Sequence, residues 1–152
     1  MGHHALGTDL KLHLGVLVQS YDNSRRSTTG DVAEILESKY GVMQAFWDTH
    51  GQQTADDLVR NLNDYLGGLL SRNTPSQDIF NGSMSRTQAR FKKFLSSKQA
   101  ERVGIPGTPT KAALKGVNHR LAHPYRKSNP RRPSFIDSGL YQASFRAWIS
   151  GF

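Results

Sequence analysis

The sequence predicts an α+β fold, mainly helical, with about five helices and one or two short strands. It predicts a single compact domain that carries an extended Pro/Arg-rich arm. Three observations point there. The chain has 152 residues, which suits one domain able to bury its own core. Leu10, Leu12, Leu14, Val16 and Val18 alternate with Lys11, His13, Gly15 and Leu17, the period of a strand with one buried face. Beyond residue 28, apolar residues recur at helical spacing between glycine and proline breaks.

The strand is expected over 9–19, with a helix as the alternative, and His13 falls on its less apolar face. Tyr21 to Gly30 is polar and reads as a loop. A helix over 29–50 follows, with Thr28 and Asp31 at capping-box spacing. Val32, Ile35, Leu36, Met43 and Trp47 form its apolar stripe. Gly41 inside it costs about 1 kcal/mol relative to Ala, and Gly51 is the expected stop. A second helix is expected over 54–71, capped by Thr54 with Asp57. Asp56 lies in its first turn, and Leu58, Leu62, Tyr65, Leu66 and Leu69 make its buried face. Arg72 to Ser76 reads as a turn.

A third helix is expected over 80–98, with Met84, Phe91 and Leu95 on one face and Arg86, Arg90 and Lys93 on another. Gly104-Ile105-Pro106-Gly107 breaks the chain. Thr108 then caps a helix over 109–122 with Pro109 at its first position. Residues 123–134, HPYRKSNPRRPS, hold three prolines and four cations and predict the extended arm. A short second strand is expected near Ser134 to Ile136. Asp137 or Ser138 caps a C-terminal helix over 138–150 carrying Leu140, Tyr141, Phe145 and Trp148. Phe145 and Trp148 are expected in the core.

Composition narrows the function. There is no cysteine, hence no disulfide framework and no thiolate metal site. The apolar runs are too short for a transmembrane helix, and Met1 to Asp9 lacks the features of a signal peptide. The expectation is a soluble protein made in a cytoplasm, with no membrane partner. His119 and His123 are four apart, the spacing of a metal pair on a helix, but no Glu lies between them and no further ligand lies nearby. The sequence has no nucleophile elbow, phosphate-binding loop or dinucleotide fingerprint. The expectation is a protein with no catalytic residues, no metal and no cofactor.

The net charge of +8 conceals a division. Residues 1–82 hold six Lys/Arg and ten Asp/Glu, a net of −4; residues 83–152 hold fourteen and two, a net of +12. A basic half can face a polyanion. Alternatively, the acidic surface of one copy meets the basic surface of the next, as a head-to-tail ring requires.

Two segments carry a resemblance. Residues 29–50, TGDVAEILESKYGVMQAFWDTH, look like the first helix of small structural proteins of tailed phages. Residues 104–149 contain GIPGTPTKAALKGVNHRL and RRPSFIDSGLYQASFRAWI. The run RPSFIDSGLY, Arg132 to Tyr141, is similar to the ending of phage neck, head–tail joining or tail-completion proteins. Together the segments cover somewhat under half the chain. The resemblance implies a non-enzymatic virion protein at the neck or tail end, made in the host bacterial cytoplasm. It implies a homo-oligomeric ring in contact with other connector, neck or tail proteins, and with genomic DNA if the ring lines its passage. The run itself reads as a fold-determining turn. The candidate contact residues are Arg86, Arg90, Lys93, Arg126, Lys127, Arg131, Arg132, Phe135 and Phe152. The rival reading is a non-specific nucleic-acid-binding module built on the same cations, though no helix-turn-helix, zinc-finger or RNA-recognition signature supports it.

Overall fold

The alternating segment forms strand β1, Lys11–Val16. A computed structural model describes it together with the rest of residues 10–21, 27–71 and 79–151. Its antiparallel partner is β2, Phe145–Ser150, at the far end of the sequence. Leu12 faces Ile149, Leu14 faces Ala147 and Val16 faces Phe145 on the core side. On the other side His13 stacks on Trp148 at 5.2 Å and its Nε2 meets Ser150 Oγ at 2.6 Å. Gly15 leaves room for the Trp148 ring, which a Cβ there would meet at 2.9 Å.

Residues 145–150 therefore form a strand where a helix over 138–150 was expected. Only Leu140–Ser144 is helical, as α6. Phe145 is buried and Trp148 is half-exposed, so Trp148 is not a core residue. Aromatic and β-branched residues fit a pleated surface well. The open edge of β1 supplies the backbone partners that convert FRAWIS to strand. No strand forms at Ser134 to Ile136; that segment turns, and buries Ile136.

Helix α1, Thr29–Tyr40, starts as the sequence predicts: Thr28 and Asp31 form a reciprocal capping box. Thr29 ties this start to the strand end, donating from its hydroxyl to Leu17 O and from its N–H to Gln19 O. Gly41 then ends the helix in a left-handed conformation, φ +61°. Glu37 spans the break, its carboxylate accepting from the N–H groups of Met43 and Gln44. It thus caps α2, Val42–Leu70, which lacks a capping side chain at Gly41 itself.

Helix α2 runs through 51–54, where the sequence suggested a stop and a new cap. Gly51 is a packing residue: a Cβ there would meet the Trp47 ring at 2.9 Å. Thr54 donates to His50 O inside the helix instead of capping one. Helix α3, Asn81–Ser96, matches its expected span, and α4, Gln99–Arg102, follows. The helix expected over 109–122 is a single turn, α5, Lys111–Leu114, capped by Thr110. Gly116 (φ +71°) closes it.

The core gathers Val42 and Phe46 of α2, Phe91, Phe94 and Leu95 of α3, and Ile105, Ile136, Tyr141 and Phe145. Phe91 stacks on Phe145 at 3.8 Å, and Phe46 meets Phe91 edge-on at 5.3 Å. Truncating any of these phenylalanines to Ala should cost about 3–5 kcal/mol. Among the described residues, no helix is long and apolar enough to cross a membrane.

Candidate interaction surfaces

The cationic face predicted on α3 is largely spent inside the fold. Asp57 on α2 is buried, its side chain 5% exposed, and it receives Arg90, with Arg86 at 3.4 Å and Arg60 at 3.4 Å. Burial alone would raise the Asp57 carboxyl. The hydrogen bond and charge of Arg90, then those of Arg86, outweigh burial and hold the carboxyl below its ordinary value. Arg86 also donates to Asn61 Oδ1, and Ser83 Oγ to Asp57 O. Of the predicted stripe, only Lys93 is exposed without an ion pair among the described residues.

The arm predicted over 123–134 is not extended. It folds back on the body, because its polar groups find backbone partners within the chain. Asn118 N–H donates to Pro124 O, Asn129 Nδ2 to the carbonyls of His123 and Pro124, and Arg132 N–H to Ala113 O. Arg132, 5% exposed, donates from Nε to Val117 O and from Nη1 to Pro133 O. Burial pushes its guanidinium below the ordinary value, opposed by Asp137 and helped by Arg120. Glu101 receives Arg131 and both the N–H and hydroxyl of Ser134. Burial would raise its carboxyl; the Ser134 bonds and Arg131 bring it below the ordinary value. Phe135 is half-buried, edge-on to Tyr40 at 5.1 Å. Thus Arg131, Arg132 and Phe135 hold the fold. Arg126 and Lys127 remain exposed, and Phe152 and the turn at 72–76 lie outside the described residues.

Residues 115–128 form turns, so His119 and His123 do not share a helix face. His119 accepts a different role. Asp137 Oδ1 takes its N–H and Oδ2 its Nδ1, each at 2.7 Å, while Nε2 meets Tyr125 Oη at 2.9 Å. A carboxylate only accepts, so Nδ1 carries the proton in this bond. Asp137 therefore ties two loops together and does not cap α6, whose N-cap is Gly139 (φ +86°). This pair borders a cleft of about 690 Å³ with Tyr21, Tyr40, Arg132 and Tyr141. Tyr141 Oη is buried with no hydrogen-bond partner among the described residues, and burial pushes its hydroxyl up. Among the described residues, no three His, Cys, Asp or Glu side chains cluster to hold a metal.

Two exposed surfaces stand out among the described residues. One is the turn region 111–127, with Lys111, Lys115, Arg120, Arg126 and Lys127 exposed around Leu114, Leu121 and Tyr125. The other is the second half of α2. Its buried residues stop at Asp57; of the face expected to be buried, Leu58 and Tyr65 are half-buried while Leu62, Leu66 and Leu69 are exposed, as are Val59 and Leu70. One side of these turns, with Leu58, Asn61, Tyr65 and Gly68, is half-buried, and the other side stays exposed. The 3.6-residue period signalled an apolar face that shares Leu62, Leu66 and Leu69 with this stripe, but periodicity alone does not say whether its cover comes from the same copy.

No family model, curated protein or solved structure matches this chain in the comparisons.

Proposed function

We propose that this protein is a structural subunit of a tailed-phage virion, one copy in a ring at the neck, head–tail connector or tail-completion complex. The observation that carries the reading is the run Arg132 to Tyr141, which resembles the ending of such proteins. Its residues are used here for architecture. Arg132 caps backbone carbonyls, Ser134 binds Glu101, Ile136 enters the core and Asp137 holds His119. On this reading the chain works by fitting neighbours and has no hydrolytic or metal-dependent activity. The division of charge into an acidic α1–α2 side and a cationic 111–127 region supports a directional assembly.

The second reading, non-specific binding of nucleic acid, draws on the same exposed cations. Charge reversal at Arg86 and Arg90 would break the Asp57 cluster, so it cannot separate the two. Neutralising Lys111, Lys115, Arg126 and Lys127, all exposed, can. The test is deletion of the gene from its phage, followed by electron microscopy. The structural reading expects tailless heads or headless tails, rescued by the intact gene. Normal infectious particles lacking the protein would refute it. Rescued particles that assemble with the neutralised protein but lose DNA contact would favour the second reading.

A further inference from the structure

The thirteen residues of α2 after Asp57 contain no buried side chain, yet they carry Val59, Leu62, Leu66, Leu69 and Leu70. Spacings of three, four and three place Val59, Leu62, Leu66 and Leu69 along one stripe. At 3.6 residues per turn this stripe lies on the side of the helix roughly opposite Asp57 and Asn61, which face α3. The last cross-element hydrogen bonds of α2 among the described residues are those of Asn61, to Ile79 O and Arg86. Beyond that point Tyr65 and Gly68 are half-buried and the opposite side is exposed. Leu70 is 87% exposed. Exposed leucines in series mark a contact surface.

The border of the stripe identifies its occupant. Asp56 flanks it beside Val59, and Asp48 lies on the same side three turns before Val59; both are exposed and make no ion pair among the described residues, whereas the nearby Arg60 is held by Asp57. The surface that fits must present apolar anchors inside a cationic frame. The 111–127 region of this chain does so: Leu114, Leu121 and Tyr125 are exposed among Lys111, Lys115, Arg126 and Lys127. Pairing the α2 stripe with itself across a two-fold axis would leave the cations of the 111–127 turns unmatched.

We propose that the exposed stripe of α2 in one copy, from Asp56 to Leu70, docks on the 111–127 turns of the next, a head-to-tail contact between unlike surfaces. The inference rests on the ring reading above and names its two faces. Such a contact propagates from copy to copy and closes into a ring where the rotation permits. The leucines supply affinity, and the charges set register and direction.

The test uses the full chain in sedimentation velocity over rising concentration. One variant, Leu66→Glu with Leu70→Glu, breaks the helix face; another, Leu121→Glu with Tyr125→Glu, breaks the turn face. All four residues are exposed; because Tyr125 also bonds His119, Leu114→Glu with Leu121→Glu serves as a second turn-face variant, and circular-dichroism melting checks that each variant is folded. The wild type should form closed or extended oligomers, and each variant should be monomeric by itself. Mixing the two variants should yield dimers and nothing larger, since one intact face remains on each. Oligomers from the turn-face variant alone would overturn the proposal in favour of a stripe-on-stripe dimer. Wild-type oligomers that survive both pairs of changes would overturn these faces and leave the ring reading standing. A wild type that stays monomeric to near-millimolar concentration would overturn the self-contact, while the virion experiment judges the ring reading independently.

Discussion

Replacing Asp57 with Asn keeps the shape of the side chain and removes the charge that balances Arg90. The Asp57 side chain is 5% exposed and that of Arg90 17%, so water cannot readily take over the lost interaction. Arg90 Nη1 is also buried with no hydrogen-bond partner among the described residues, which leaves Asp57 as the main compensation for the guanidinium. Breaking a buried pair by removing one partner costs about 3–5 kcal/mol. The residual exposure of Arg90 puts the expectation near the lower end, about 3 kcal/mol. Arg86 is 45% exposed and regains water, so Arg86→Ala should cost less than about 1 kcal/mol. Urea unfolding reads the difference directly. Against a total stability of about 5–15 kcal/mol, the Asp57→Asn loss is large. In a melting experiment it should lower Tm by about 6–12 °C. The double variant Asp57→Asn with Arg90→Met should recover part of the loss, because no buried charge is then left unpaired. A cost for Asp57→Asn below about 1 kcal/mol, or strict additivity in that cycle, would refute the reasoning.

Acid should destabilise the fold through two carboxylates. Asp57 and Glu101 both titrate lower in the folded chain than their ordinary values of 3.8 and 4.5. Their contribution is therefore complete above about pH 5 and is lost as pH falls through the depressed folded values. Urea midpoints from pH 7 to pH 3 should show the decline, with a smaller drop in Glu101→Gln. Gly116→Ala should destabilise by more than the roughly 1–2 kcal/mol of a left-handed conformation, because the added Cβ would also run into the Asn129 carbonyl. Thermal melting checks this, and a neutral result would mean that the 111–130 turns relax freely.

The parts of the fold legible in sequence are those set by local chemistry. Thr28 and Asp31 form a capping box whatever packs above them, and the alternation from Leu10 to Val18 needs only one buried face. The span of α3 and the burial of Phe91, Phe94 and Leu95 follow from a clean helical stripe. The misreadings have tertiary causes. Leu140, Tyr141, Phe145 and Trp148 fit a helical period, while Phe145, Ala147 and Ile149 fit a strand period. Only the free edge of β1, more than a hundred residues away, decides between them. Gly51 looks like a helix stop until the Trp47 ring is seen to cover it. The 123–134 segment looks incapable of packing because its composition lacks apolar bulk. It packs through hydrogen bonds to backbone carbonyls and to Glu101, which composition cannot reveal. The same blindness affected the candidate contacts. Arg86, Arg90, Arg131 and Arg132 are cations in sequence but fold-holding groups in space, while Lys111, Lys115 and Tyr125 drew no notice.

The charge division changes meaning once these pairs are assigned. Part of it closes within one copy, through the two buried acids: Asp57 takes cations from α3, and Glu101 takes Arg131. Of what remains exposed, most carboxylates lie on the first two helices, with Lys39 among them, and a cluster of cations lies on the turns. Asp31, Glu34, Asp48, Asp56 and Asp64 lie on α1 and α2, and Lys111, Lys115, Arg120, Arg126 and Lys127 lie on the turns. None of these ten groups makes an ion pair among the described residues. Paired on the surface of a single copy they would add under about 1 kcal/mol each. Arranged as two opposed faces around exposed leucines, they can orient one copy on the next. An imbalance that contributes little to folding is thereby suited to assembly.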